Sequence, residues 1–330
     1  MRVTVLGGGS WGSTVASLTT ARHQTLLWAR DPDTAVEVNG SHTNGRYLPG
    51  FTLPRRLRAT ADLSEAVAEA DVIVVGVPSA GFRGVLERAA PQIRPWVPIV
   101  SLTKGLERGS LLRMTQVISE VLPGHPASAL SGPNLAREIM TGRAAASVIA
   151  TEDLSVAAAL QDVLRHKLFR VYTNHDVIGC EVGGALKNVI AIAAGIAEGL
   201  GVGDNTRAAV ITRGLAELTR LGVAMGAEAQ TLSGLAGMGD LVATCMSPLS
   251  RNRTVGELLG RGQSLESILA DMHMVAEGVN TASVSLQLAE RYHVELPICR
   301  EIHRIVAEHG NPRHAYRGLQ DEPGHESEPG

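Results

Sequence analysis

A single lysine, Lys187, interrupts a run that carries no other charge from residue 182 to residue 197. Burying such a run would penalise the ammonium form and lower the pKa of the amine, making it a plausible acid and base. The plainer readings are a side chain that reaches solvent or pairs with Glu181 or Glu198; the adjacent Asn188 favours a polar pocket. A second chemistry is written in residues 1–12, MRVTVLGGGSWG. A β-branched run leads into Gly7, Gly9 and Gly12, the G-x-G-x-x-G spacing of a dinucleotide-binding turn. Gly7 permits the tight turn, Gly9 lets the backbone approach a pyrophosphate, and Gly12 lets the next helix pack against the strand. The amides at that helix start would hold the phosphates. A third signal is Ser250-Arg251-Asn252-Arg253, where a guanidinium fork suits phosphate oxygens and Ser and Asn add neutral hydrogen bonds. Residues 234–241, GLAGMGDL, read as a close-approach loop holding the Asp240 carboxylate near a site. Lys104, in Thr103-Lys104-Gly105-Leu106, falls at the C-terminal end of an expected strand, where open parallel sheets bind ligands.

These groups need a scaffold, and the hydrophobic periodicity supplies one. Strands are expected at residues 2–6, 25–28, 71–75, 97–102, 127–130, 145–150 and 169–172. Helices are expected between most of them, at 10–22, 62–70, 111–122 and 154–164. Residues 39–59 read as an irregular surface excursion. After residue 174 the strands stop, and helices are expected at 177–200, 206–221 and 297–308. The fold class is therefore α/β: an N-terminal Rossmann-like doubly wound parallel sheet over residues 1–180, then an all-α C-terminal domain over 181–320. Residues 321–330, DEPGHESEPG, read as a disordered tail. The strand at 25–28 runs into Ala29-Arg30-Asp31. An arginine there accommodates the 2′-phosphate of NADP and an acid binds the 2′-hydroxyl of NAD. Arg30 comes first, which favours NADP or dual use, and one residue of register would reverse the preference.

The bulk properties exclude several classes. The chain has 330 residues, enough for two domains. A net charge of −3 makes no electrostatic case for nucleic acid or an acidic membrane surface. The three cysteines are dispersed, with no C-x-x-C, and the eleven histidines form no metal constellation, so no metal is expected. The opening residues read as strand rather than a basic-then-apolar leader, and no apolar run is read as reaching the ~20 residues of a membrane span. A cytoplasmic protein is expected.

Together these motifs, in this order, resemble the bacterial NAD(P)-dependent glycerol-3-phosphate dehydrogenases. The resemblance rests on residues 7–12, 103–106, Ser131-Gly132-Pro133-Asn134, 181–188, 234–240, 250–253 and Glu277-Gly278, and covers about residues 1–310. It implies interconversion of sn-glycerol 3-phosphate and dihydroxyacetone phosphate with hydride exchange at nicotinamide, in supply of phospholipid synthesis, by an enzyme that is usually a homodimer. It further implies that Lys187 is the proton donor and acceptor. Lys104, Gly132, Asn134, Asp240, Ser250, Arg251 and Asn252 would contact substrate, with Asp240 also orienting Lys187. Gly7, Gly9, Ser10, Trp11, Gly12, Arg30, Lys104, Ala136, Arg251, Val275 and Glu277 would line the cofactor. The chain departs from the family pattern at Gly8, where alanine is usual, and at Asn134-Leu135, where Ser or Thr and then an aromatic or His are common. Two other readings stay open on the residues alone. One is a two-domain hydroxyacid dehydrogenase with a carboxylate substrate. The other is a non-catalytic NADP-binding sensor, against which Lys187 speaks.

Overall fold

The computed structural model describes residues 1–272 and 276–314, so the tail expected at 321–330 lies outside the described residues. The chain divides into two compact units, Met1–Glu181 and Val182–Gly330. The first is built on one eight-stranded sheet: β1 (Arg2–Leu6), β2 (Gln24–Trp28), β3 (Arg58–Thr60), β4 (Val72–Val75), β5 (Ile99–Ser101), β6 (Ala127–Ser131), β7 (Ala145–Ala150) and β8 (Phe169–Asn174). Their order is β3-β2-β1-β4-β5-β6-β7-β8. The strand order reverses at β1, which lies between β2 and β4, and ligands of such sheets bind outside the strand C-termini at that point.

All neighbours pair in parallel except β6 and β7. The expectation of a parallel sheet is thus corrected at β7. Between β6 and β7 stands only the five-residue Ala136–Met140 helix, about 8 Å long. The pairing of Ala129 with Ala150 and of Ser131 with Val148 fixes the reversed direction. The excursion at 39–59 is also shorter than expected. The Pro32–Gly40 helix enters it, started by Asp31, whose carboxylate accepts the Asp33 amide, and by proline in the first turn. The edge strand β3 closes it.

Alternate residues of β4 serve opposite faces. Val72 and Val74 pack with Val3, Val5 and Leu27; Ile73 and Val75 pack with Leu6, Phe82 and Ile99. Both faces are covered by helices, so the strand reads as a continuous apolar run.

The second unit is helical. The Val177–Leu200 helix, which crosses the unit boundary, has the length and apolarity of a membrane span, contrary to the sequence expectation; 94% of its apolar window is buried. A carboxylate in the Asp204–Ala224 helix starts another helix from outside. Glu217 accepts the amides of Ile298 at 2.7 Å and Cys299 at 3.2 Å, at the head of the Pro297–Ala307 helix, which has no side-chain cap of its own. Burial raises the Glu217 pKa, and the two amides only partly oppose it. A carboxyl group whose folded pKa exceeds its unfolded value stabilises most below the unfolded pKa. That contribution is lost as pH rises through the folded value. Glu217→Gln keeps an acceptor at the helix start and removes the titration. Its Tm relative to the parent is therefore expected to climb as pH rises above the ordinary glutamate range of about 4. Thermal melts across a pH series check this; a pH-independent difference would show that Glu217 titrates normally.

Candidate active site

The glycine turn after β1 is shaped by contacts on two sides and by space on the third. Gly7 has φ 121°, and a Cβ there would lie 2.7 Å from the Gly76 carbonyl oxygen. A Cβ on Gly12 would lie 2.0 Å from the Gly7 carbonyl oxygen, whereas one on Gly9 would meet nothing within 4 Å. The open side at Gly9 is where a pyrophosphate would approach. Gly9 is also the N-cap of the Ser10–Thr19 helix, which has neither a side-chain cap nor an acid in its first turn. The positive end of the helix is thereby kept for an anionic ligand. Asn44, fully buried in the 39–59 segment, braces the turn by donating to the Gly8 carbonyl at 2.8 Å and to Ser13 Oγ at 2.9 Å. No local sequence pattern marks it. Trp11 packs edge-on against Phe169, and its Nε1 is buried without a hydrogen-bond partner. At the end of β2, Asp31 is engaged with the Asp33 amide and, at 3.8 Å, with Arg46; Arg30 is exposed. Val275 lies outside the described residues.

Further along the same sheet, Lys104 Nζ donates to the Gly132 carbonyl at 2.6 Å. Gly132 has φ 133°, and a Cβ there would press on Ser147 Cα at 3.2 Å. Ser147 Oγ donates its one proton to the Ser131 carbonyl, so it receives the Asn134 amide nitrogen at 3.1 Å. That fixes Asn134 with its Oδ1 turned away, buried and without a partner. Ala136 opens the Ala136–Met140 helix, which packs against the Ser10–Thr19 helix and shares an apolar cluster with Trp11.

The second unit carries Lys187, the acid–base candidate of the sequence. Lys187 is 5% exposed; its Nζ forms an ion pair with Asp240 and donates to Thr244 Oγ1 at 2.7 Å. Thr244 Oγ1 gives its own proton to the Asp240 carbonyl at 2.6 Å, so it acts toward the lysine as an acceptor. The acids weighed as alternative partners are engaged elsewhere. Glu181 takes Arg113 at 2.6 Å and the Thr115 amide at 2.8 Å, and Glu198 takes Arg207 and Arg253. The expected close-approach loop is instead a π-helical turn, Leu235–Gly239, continuing into the Asp240–Met246 helix. Gly237 serves packing, because a Cβ there would lie 1.9 Å from the Leu232 carbonyl oxygen. Expecting a loop hid Thr244, which lies one helical turn beyond Asp240 on the same face.

Ser250 caps the Arg251–Gly260 helix by accepting the Arg253 amide at 3.3 Å. Asn252 is 8% exposed and ties three helices: Nδ2 donates to Asn188 Oδ1 at 2.8 Å, and Oδ1 accepts the Gly278 amide at 3.0 Å. Arg251 keeps solvent access, yet desolvation by the chain around it lowers its pKa, and the charge of Glu277, the first residue of the Glu277–Tyr292 helix, opposes that shift. The register between the lysine and arginine helices is set by glycines. A Cβ on Gly195 would lie 2.0 Å from the Arg253 carbonyl oxygen, and one on Gly256 would lie 2.0 Å from that of Ile192. Gly199 and Gly260 repeat the contact one turn on, at 2.2 Å from Glu257 O and 2.6 Å from Ile196 O. The two backbones touch, which places Asn188 and Asn252 within reach of each other.

Family models describing the N-terminus and the C-terminus of NAD-dependent glycerol-3-phosphate dehydrogenase match residues 2–157 and 176–317. The chain belongs to the NAD-dependent glycerol-3-phosphate dehydrogenase family. Among members of this family, glycerol-3-phosphate dehydrogenase [NAD(P)+] 2 of Sphingopyxis alaskensis is 55% identical, over 100% of this chain and 99% of its own. The Mycobacterium avium glycerol-3-phosphate dehydrogenase [NAD(P)+] is 54% identical, over 98% and 96%. The crystal structure of glycerol-3-phosphate dehydrogenase from Coxiella burnetii superposes with a TM-score of 0.92 at 37% identity, over 97% of this chain and 99% of that one.

Proposed function

We propose that this glycerol-3-phosphate dehydrogenase family member interconverts sn-glycerol 3-phosphate and dihydroxyacetone phosphate, using NADP or NAD. The observation that carries the reading is the buried Lys187–Asp240–Thr244 cluster, joined through Asn188 and Asn252 to the helix that begins with Arg251. The glycine turn fits a dinucleotide: its open side at Gly9 and uncapped helix start suit a pyrophosphate. Ser10, Trp11, Arg30, Lys104, Ala136, Arg251, Glu277 and Val275 are the further residues that would hold the cofactor. When bound, the nicotinamide supplies or accepts the hydride.

The chain's own residues manage the proton and the phosphate. Lys187 Nζ gives a proton to the substrate oxygen as the ketone is reduced and takes it back in the reverse direction. Asp240 and Thr244 hold Nζ in one position, which saves the cost of orienting it during reaction. Arg251 offers its guanidinium fork to the phosphate, with Ser250, Asn252, Lys104, Gly132 and Asn134 nearby in role. Charge-assisted hydrogen bonds are worth about 1.5–3 kcal/mol each. Dihydroxyacetone phosphate is therefore expected to be reduced at least about 100-fold more efficiently than dihydroxyacetone. Steady-state kcat/KM values for the two ketones check this, and equal values would remove the phosphate from the reading.

Arg30 is proposed to set nucleotide choice. Arg30→Asp is expected to raise KM for NADPH by about tenfold or more and to leave KM for NADH nearly unchanged. Parallel titrations with both nucleotides decide it; an unchanged NADPH KM would place the 2′-phosphate elsewhere. Within the same reading the enzyme works in the cytoplasm as a homodimer and supplies phospholipid synthesis, on the strength of the family resemblance.

A further inference from the structure

The end of the sheet opposite the glycine turn holds a cavity of about 780 Å³. The strand register accounts for it. Arg2 lies opposite Gln24, Thr4 opposite Leu26, and Leu26 opposite Arg58, so these side chains share one face of β1–β3. The helix over that face, Leu63–Ala68, is held by Thr4 Oγ1 donating to the Ala66 carbonyl at 2.6 Å. It has six residues, about 9 Å, and leaves the strand starts uncovered. Leu26, Ala66 and Ala70 give the cavity apolar lining, and arginines and His23 surround it.

The cations differ in how they are satisfied. Arg2 pairs with Glu69, and Arg22 donates to Asp162. Arg58 donates only to the carbonyls of Arg55, at 2.8 Å, and Leu57, at 3.2 Å. Arg56 makes no hydrogen bond or ion pair among the described residues. Glu65, which also lines the cavity, is engaged by Thr60 Oγ1 at 2.6 Å. Two exposed guanidiniums without a carboxylate thus stand beside an apolar wall. The geometry points to a binding site for a small amphiphilic anion, its head in the forks of Arg56 and Arg58 and its aliphatic body against Leu26 and Ala66. β1 spans about 16 Å between this cavity and Gly7, so the two sites do not overlap. A ligand here would rest on the starts of β1 and β2, whose far ends carry the glycine turn and Arg30.

Octyl phosphate titrated calorimetrically into the full chain is the test, with the active site saturated by the non-reacting pair NADP+ and dihydroxyacetone phosphate. Saturable one-to-one binding is expected, weakened by at least about tenfold in Arg56→Glu/Arg58→Glu, whose kcat/KM stays within about twofold of the parent. Inorganic phosphate is expected to bind at least about tenfold more weakly than octyl phosphate, because it lacks the buried methylenes. Four results would overturn the assignment: no saturable binding, equal affinity in the double variant, binding that disappears when the active site is filled, or equal affinity for inorganic phosphate.

Discussion

Lys187→Ala is expected to lower kcat by about 10²–10⁴, the range for losing a positioned proton donor and acceptor, while NADP binding persists. Structure complicates a simple reading of that loss. Asp240 is 1% exposed, and removing its cation leaves a buried carboxylate uncompensated, at a cost of about 3–5 kcal/mol. A fall in Tm should therefore accompany the fall in kcat. The double variant Lys187→Met/Asp240→Leu separates the two effects, since apolar residues of similar volume commonly replace a buried ion pair without loss of stability. Its Tm is expected to recover to near the parent value and its kcat to stay at the level of Lys187→Ala. Steady-state rates, calorimetric NADP titration and thermal melts measure the three quantities. A kcat within about threefold of the parent in either variant would remove Lys187 from the proton transfer.

Gly256→Ala is expected to have the next largest effect, although Gly256 is not proposed to touch a ligand. Its new methyl would begin 2.0 Å from the Ile192 carbonyl oxygen, so the Arg251–Gly260 helix must move by about 1 Å or more from the lysine helix. That displacement breaks the 2.8 Å bond between Asn252 and Asn188 and shifts Arg251 relative to Lys187. A misplacement of about 1 Å can cost about 10²-fold in rate, and overpacking costs about 1–3 kcal/mol of stability. The account expects KM for glycerol 3-phosphate to rise and kcat/KM to fall by about 100-fold. Gly84→Ala is the control, because a Cβ on that helical glycine meets nothing within 4 Å; it should match or slightly exceed the parent in stability. A Gly256→Ala enzyme with normal substrate KM would show that the glycine crossing does not set the site's register.

Local patterns revealed the elements whose burial is simple and missed those decided by distant contacts. β4 and the Leu154–Leu164 and Val177–Leu200 helices follow from apolar runs and helical spacing. The Pro32–Gly40 helix has a readable start in Asp31-Pro32-Asp33 but little apolar content to continue the pattern. β3 has three residues and exists through pairing with β2, which no short sequence announces. The reversed direction of β7 is likewise a property of its pairing with β6, because alternation alone does not distinguish parallel from antiparallel pairing. At the site, residue type identified candidates but not their partners. By type alone Ser250 and Asn252 are neutral donors for phosphate. In the structure Ser250 caps a helix and Asn252 joins three of them, through contacts that depend on which helices cross at the glycines.

Purified protein given dihydroxyacetone phosphate, with NADPH and NADH in separate runs, tests the assignment most directly. Nicotinamide absorbance is expected to fall, with one glycerol 3-phosphate formed for each nucleotide oxidised and the faster rate with NADPH. No absorbance change with either nucleotide, across phosphorylated and unphosphorylated ketones, would contradict it.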